Sequence, residues 1–306
     1  MSREFLFEES VTARPFLKWA GGKTQLIDEI RRLLPLWVRE QPFTYVEPFV
    51  GSGAVLFWML RNYPSIEKAI INDINEDLVN TYRVIASQPQ ELIEILELFQ
   101  NEYCFLRQGS DEQKAYYGKM RNRFNTKRED NTTRAALMIF LNKTCFNGLY
   151  RVNRHGAFNV PIGSYANPRI CDKTNILAVS NALKRVDIMC GDFAETLRDV
   201  STPALVYLDP PYKPLSKTSS FNSYAKESFD DAEQKRLGAF CKQMDKDGFA
   251  WILSNSDVYS TGSKNPFFDN LYASFRISRV WAKRSINVNS QQRGSIPELL
   301  VTNIAQ

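Results

Sequence analysis

A chain of 306 residues with one histidine, His155, argues against Ser–His and Cys–His catalysis. Its five cysteines (Cys104, Cys145, Cys171, Cys190, Cys241) are odd in number, scattered and never spaced C-x-x-C. With so little histidine beside them, a zinc site is not expected. Reduced thiols in a cytoplasm are expected instead. Long apolar runs are missing too: no stretch approaches the ~20 residues of a membrane span. The first ten residues carry acids and no extended apolar segment, so a secretory signal is not expected there. No internal repeat and no low-complexity linker occurs.

What is present is a sizeable apolar fraction, 43%, enough for one large domain or two moderate ones. Net charge is only +5, but its distribution is uneven. Between residues 113 and 173 there are twelve Lys and Arg against three acids, a net +9, so the remainder carries −4. A positive block on an otherwise acidic chain is the footprint of a polyanion partner.

Apolar patterning gives short strands at 44–46, 68–72, 187–190, 204–208 and 249–254, with closing strands at 280–284 and 299–304. Helices are expected at 24–34 (with Thr24 as cap), 54–62, 77–87, 89–99, 175–184 and 231–245. A largely helical stretch runs over 113–142. Asn147-Gly148 and Arg154-His155-Gly156 then mark turns around a hairpin of 149–152 and 157–160. The organisation is an α/β domain, residues 1–80 and 170–306, interrupted by a basic, mainly helical insertion at 81–169.

The most informative residues are Asp209-Pro210-Pro211-Tyr212, directly after the apolar run 204–208. The first proline stops that strand. A carboxylate is thus held at a strand end, with a rigid turn behind it and a ring beside it. An exocyclic amine on a planar base needs such a set. Asp209 can accept one hydrogen bond, the Pro210 carbonyl a second, and the Tyr212 ring can stack. A plain strand followed by a tight turn is the competing explanation.

Pro48-Phe49-Val50-Gly51-Ser52-Gly53 lies between a strand and a helix, where glycines let a ligand approach the backbone and the helix start favours negative charge. Asp73 follows Gly53 by twenty residues, the spacing of an acid that binds a ribose. Gly191-Asp192-Phe193 offers another carboxylate and ring at a strand end. A helix cap with a core phenylalanine explains that pair equally well. Gly21-Gly22-Lys23-Thr24 is not a phosphate-binding loop: the glycine required five positions earlier is Leu17. In the insertion, Phe146-Asn147-Gly148-Leu149-Tyr150-Arg151 puts arginine, asparagine and aromatics on a turn, suited to reading base edges and to stacking.

Together these motifs resemble the Dam-type (D12 class) N6-adenine DNA methyltransferases. The likeness runs in the family's order from Phe16-Leu17-Lys18-Trp19-Ala20-Gly21-Gly22-Lys23 through Asn72-Asp73-Ile74-Asn75 and Gly156–Gly163 to Arg284-Ser285-Ile286. The resemblance implies a seven-stranded S-adenosylmethionine-dependent methyltransferase fold with an inserted DNA-recognition domain. It implies that Trp19, Lys23, Phe49, Asp73 and Phe193 surround S-adenosylmethionine, and that Asp209 touches both donor and target. It implies that Lys18, Asn147, Leu149, Arg151, Pro161 and Tyr165 meet double-stranded DNA at GATC or a related palindrome. Relatives often carry tyrosine at 146; Phe146 keeps the ring for stacking without the hydroxyl. A cytoplasmic, nucleoid-associated enzyme working beside a restriction endonuclease is a further implication. The readings left beside it are transfer to cytosine N4, RNA adenine or protein glutamine, and an idle DNA-binding relative. Cytosine C5 chemistry would want a cysteine after a proline, and no Pro-Cys pair occurs.

Overall fold

The structure, a computed structural model, describes residues 11–19, 23–212, 229–257, 266–283 and 295–305. Gly21, Gly22 and the Arg284-Ser285-Ile286 motif lie outside the described residues, as do the first ten.

β1 (Phe43–Glu47), β2 (Ile66–Asp73), β3 (Val186–Cys190), β4 (Ala204–Leu208), β5 (Ala250–Ser256), β6 (Arg276–Lys283) and β7 (Ser295–Thr302) form one seven-stranded sheet, ordered β3-β2-β1-β4-β5-β7-β6. The first five run parallel, and β7 enters antiparallel between β5 and β6. The parallel strands are covered on both faces, which is why β4 reads as an unbroken apolar run and is buried throughout. Successive residues alternate between two cores. Tyr45, Ile71, Leu205, Tyr207 and Ile252 point to one, and Val46, Ile70, Val206, Leu208 and Leu253 to the other.

Helices α1 (Ile27–Leu33), α2 (Ala54–Asn62), α3 (Glu76–Ser87), α4 (Pro89–Phe105), α5 (Asp111–Thr126), α6 (Asn131–Thr144) and α7 (Lys173–Ala182) share the first core, and α8 (Asp231–Lys246) and α9 (Phe267–Leu271) pack into the second. The first core is continuous from the sheet into the basic segment, where Phe99, Tyr117, Met120 and Phe140 are buried. Helix α3 runs through residue 81, where the insertion was expected to begin.

Three expectations shift. The stretch 113–142 is two helices, not one. Lys127 turns left-handed (φ 55°) and the Asp130 side chain caps α6 by accepting from Thr133 N. That short acid-and-cap signal was hidden in a run of charged residues. The hairpin at 149–160 keeps its turn but pairs at the single bridge Val152↔Phe158. At the other end, a 3-10 turn, Lys23–Leu26, precedes α1, so Thr24 sits inside that turn rather than at the helix cap, which is Leu26.

Part of the positive block is internal. Arg134 of α6 donates through Nε and Nη2 to Asp77 Oδ1 of α3, both at 2.6 Å, and the Tyr150 hydroxyl reaches Asp77 Oδ2 at 3.3 Å. Asp77 thus pins the insertion to the sheet's flanking helix. Asp77→Ala leaves a largely buried guanidinium without its carboxylate, and denaturant titration should register a loss of about 3 kcal/mol.

Candidate active site and nucleic-acid surface

The C-terminal ends of the parallel strands gather the chemistry, at the edge where open α/β sheets bind ligands. After β1 the chain turns through Gly51 (φ 49°) and Gly53 (φ 75°) into α2. Both positions need glycine. A Cβ on Gly53 would stand 2.6 Å from the Tyr82 hydroxyl, and one on Gly51 would stand 3.0 Å from Trp19 Cδ1. Trp19 stacks on Tyr150 at 5.4 Å, so the N-terminal segment covers this turn. Asp73, at the end of β2, accepts from Gly51 N (3.2 Å) and Asn75 N (2.9 Å) through different oxygens. Its pKa is raised by burial, which those backbone bonds oppose.

Asp209, one residue past β4, is the centre of a buried polar cluster. Its Oδ1 takes an ion pair from Lys23 Nζ at 2.8 Å and a hydrogen bond from Ser254 Oγ of β5 at 3.2 Å. Ser254 is met in turn by the Tyr207 hydroxyl at 2.9 Å. Both of these interactions fall on one carboxylate oxygen, and Oδ2 accepts from no described residue. Burial raises the Asp209 pKa, and Lys23 followed by Ser254 pulls it back down. Lys23 is 3% exposed, and its ammonium also lies 4.4 Å from the centroid of the Tyr212 ring. A second acid, Glu47, is buried at the end of β1 and accepts from the Tyr45 hydroxyl at 2.9 Å. Burial pushes Glu47 well above the ordinary carboxylate range, Tyr45 opposes this, and the charge of Asp209 adds to it. Lys23 pairs with Asp209, and the burial that raises the Glu47 pKa favours its protonated form.

The turn itself is braced. Gln234 Nε2 of α8 donates to the Pro211 carbonyl at 3.3 Å, and Tyr212 Oη donates to Glu298 Oε2 at 2.8 Å. The remaining expected donor-site residues lie at the neighbouring strand end. Phe49 packs on Phe193 at 5.3 Å, with Phe229 against both. Phe193 is buried, with the Arg236 guanidinium 4.1 Å from its ring centroid. Asp192 caps the 3-10 turn after it and takes two bonds from Arg236, at 2.8 and 2.6 Å, which hold its pKa below the usual range.

The expected DNA residues form a neighbouring surface. Asn142, buried in α6, clips the peptide of Lys18 on both sides: its Oδ1 accepts from Lys18 N and its Nδ2 donates to Lys18 O, each at 2.8 Å. Lys18 Nζ then reaches the Tyr165 hydroxyl at 3.2 Å. Phe146 is 42% exposed on a 3-10 turn, Phe146–Gly148, in which Asn147 is left-handed. Its N–H is tied to the exposed Pro161 through that residue's carbonyl. Leu149 is half-buried, and Arg151 is held by Asn159 Oδ1 at 2.8 Å. Lys143, also on α6, counts in the sequence only as one charge of the basic block. Burial drops its pKa to about 8, with Lys18, Arg14 and Arg169 adding to the shift and Asp172 opposing it. Ser254, Gln234 and Glu298 were equally silent, since nothing in their local sequence announces a partner twenty or more residues away.

A buried acid after β4, a left-handed glycine turn after β1 and a basic flank make an arrangement suited to an α/β methyltransferase. Comparison carries this further: residues 19–286 match the D12 class N6 adenine-specific DNA methyltransferase family, to which this chain belongs. The Type II methyltransferase M.MjaIII of Methanocaldococcus jannaschii is 48% identical over 294 residues, covering 95% of this chain and 99% of that protein. The Type II methyltransferase M1.LlaDCHI of Lactococcus lactis subsp. cremoris is 39% identical over 303 residues, covering 97% and 98%. The DNA adenine methylase of Vibrio cholerae is 34% identical over 288 residues, covering 94% and 95%. The fold is that of the S-adenosylmethionine-dependent methyltransferases and the chain is an adenine-specific DNA methyltransferase. No helix among the described residues is long and apolar enough to cross a membrane.

Lys23 is the strongest influence lowering the Asp209 pKa against the burial that raises it. Lys23→Met removes the main influence lowering the Asp209 pKa, so that pKa rises. If Asp209 serves methylation as its carboxylate, activity should then lose its acid limb at a higher pH than in the wild type, as a rate–pH profile reads directly.

Proposed function

We propose that the protein takes its methyl group from S-adenosylmethionine and places it on N6 of an adenine flipped out of duplex DNA, within GATC or a related GAT-containing palindrome. The observation that carries the chemistry is the loading of Asp209: Lys23 and Ser254 both fall on Oδ1, and the Lys23 ammonium that pairs with it lies 4.4 Å from the centroid of the Tyr212 ring.

The donor fits the cradle described above. Gly51 and Gly53 admit close approach to the backbone, the start of α2 suits a carboxylate, and Asp73 retains lone pairs for ribose hydroxyls. Trp19, Lys23, Phe49, Gly51, Gly53, Asp73, Asp192 and Phe193 are the residues read as surrounding it. Bound there, S-adenosylmethionine supplies an electrophilic methyl on a sulfonium whose leaving thioether is neutral, so no Lewis acid is required. Everything else is positioning and electrostatics supplied by the chain. The target base has to leave the stack to reach this edge. Tyr212 stacks on it, and Asp209 and the Pro210 carbonyl accept the two N6 hydrogens. The ionised Asp209 also stabilises the positive charge that grows on the attacking nitrogen.

Recognition falls to the insertion. Arg151, oriented by Asn159, is suited to a guanine edge, and Phe146 to a place vacated in the stack. Lys18, Asn147, Leu149, Pro161 and Tyr165 complete the reading of the duplex. The Type II names of two relatives support a place beside a restriction endonuclease, and the natural setting is then nucleoid DNA in a cytoplasm.

A labelled-methyl transfer assay on duplexes with and without GATC tests the whole reading; label on random duplex at the same rate, or on cytosine, would overturn it. Asp209→Ala should abolish transfer while duplex affinity stays within about threefold, because the acid makes no phosphate contact. For Lys143, the sign is fixed by its low pKa: the ammonium present at pH 7 is lost by pH 9. Affinity for duplex should therefore fall across that window, and Lys143→Gln should flatten the fall in a fluorescence-anisotropy titration.

A further inference from the structure

Asp209 and Pro210 act only if the two residues after them hold still, and the fold supplies specific groups for that purpose. Strands β1, β2, β3, β4 and β5 all point their C-terminal ends at the site, so none of them can return to it after leaving. β7 can, because it runs the other way. Its register sets Glu298 opposite Ser256 and Leu299 opposite Asn255, so its beginning borders the edge where β4 and β5 end. There Glu298 Oε2 accepts from Tyr212 Oη at 2.8 Å. The Tyr212 phenol is pushed well above its ordinary pKa, by burial first and then by Asp209 and Glu298, so it stays protonated and donates.

A second brace comes from within the core. Gln234 and Asn255 are both fully buried. Asn255 Nδ2 donates to Gln234 Oε1 at 3.2 Å, which leaves Gln234 Nε2 directed at the Pro211 carbonyl at 3.3 Å. Asn255 Oδ1 accepts from Ser256 N at 2.8 Å, which fixes the orientation of its own amide. Buried amides in a chain of this kind have one satisfied arrangement. The Pro211 carbonyl is therefore already engaged, and the carbonyl left for an incoming amine is that of Pro210.

We propose that Glu298 is a positioning residue for methyl transfer: it anchors the stacking ring of Tyr212, while Gln234, set by Asn255, selects which proline carbonyl meets the target amine. The proposal rests on the reading that adenine stacks on Tyr212. A tyrosine held only by its backbone rotates about two side-chain bonds. One whose hydroxyl is bonded to a carboxylate must break a charge-assisted hydrogen bond to swing away. The base then arrives at a ring already in place, so less ordering remains to be done in the transition state.

The test uses the full-length protein, S-adenosylmethionine and a duplex carrying 2-aminopurine at the target position. That base is bright when unstacked and dims against an aromatic ring. Glu298→Ala should lower kcat about tenfold or more, leave KM for the donor within about twofold, and brighten the extrahelical base. Glu298→Gln keeps an acceptor and should restore kcat to within about threefold of the wild type. Tyr212→Phe should match Glu298→Ala, and the double variant should be no worse than either, since both break one bond. Wild-type kcat and unchanged emission in Glu298→Ala, or a further drop in the double variant, would overturn the assignment. Tyr212→Ala separates the two layers. If it still methylates at the normal rate, the stacking reading itself fails. If it is inactive while Glu298→Ala works normally, only the positioning role fails.

Discussion

The ion pair between Lys23 and Asp209 is the constraint on which the site depends. A carboxylate at a sheet edge, walled by tyrosines, would otherwise protonate and lose its use as an acceptor. The lysine prevents that from the N-terminal segment, and that segment is itself held by side chains. Asn142 grips the peptide at Lys18, and Asn175 does the same at Arg14, accepting from its N–H at 3.1 Å and donating to its carbonyl at 3.0 Å. These two buried asparagines pair with the segment as a neighbouring strand would. Through them the surroundings of Asp209 are linked to α6 and α7.

The same linkage joins the basic segment to the surroundings of Asp209. Helix α6 ends two residues before Phe146, its Asn142 fixes Lys18, and Lys18 is five residues from Lys23. A shift of α6 would be felt by the peptide at Lys18. The continuous core from sheet to insertion makes such a shift a coupled movement rather than an independent swing of one part.

Much of this was legible beforehand, for identifiable reasons. Parallel strands buried on both faces leave plain apolar runs, so β4 and α2 were found at their true limits. Motifs that must place a turn at a strand end, such as Asp209-Pro210-Pro211-Tyr212, carry their geometry in their own residues. The break between α5 and α6 did not show, because a left-handed lysine and a capping aspartate look like any charged run. Nor did the partners of the motif residues. Lys23 could be associated with a bound donor by likeness, but its bond to Asp209 is made by tertiary folding alone. Ser254, Gln234 and Glu298 belong to the same class: ordinary polar residues whose meaning comes from strand order. Part of the positive block was also read too simply, since Arg123, Arg134 and Arg151 are engaged within the protein.

The reversed direction of β7 has a consequence for how the enzyme comes into being on the ribosome. The lysine at 23, the acid at 209 and the carboxylate at 298 meet at one point, although nearly the whole polypeptide lies between the first and the last. A nascent chain that has emerged as far as β5 can already pair its parallel strands. Its tyrosine anchor has yet to emerge. A chain cut short there would hold five paired parallel strands, with β5 lacking its neighbour β7 and the Tyr212 hydroxyl lacking the Glu298 carboxylate.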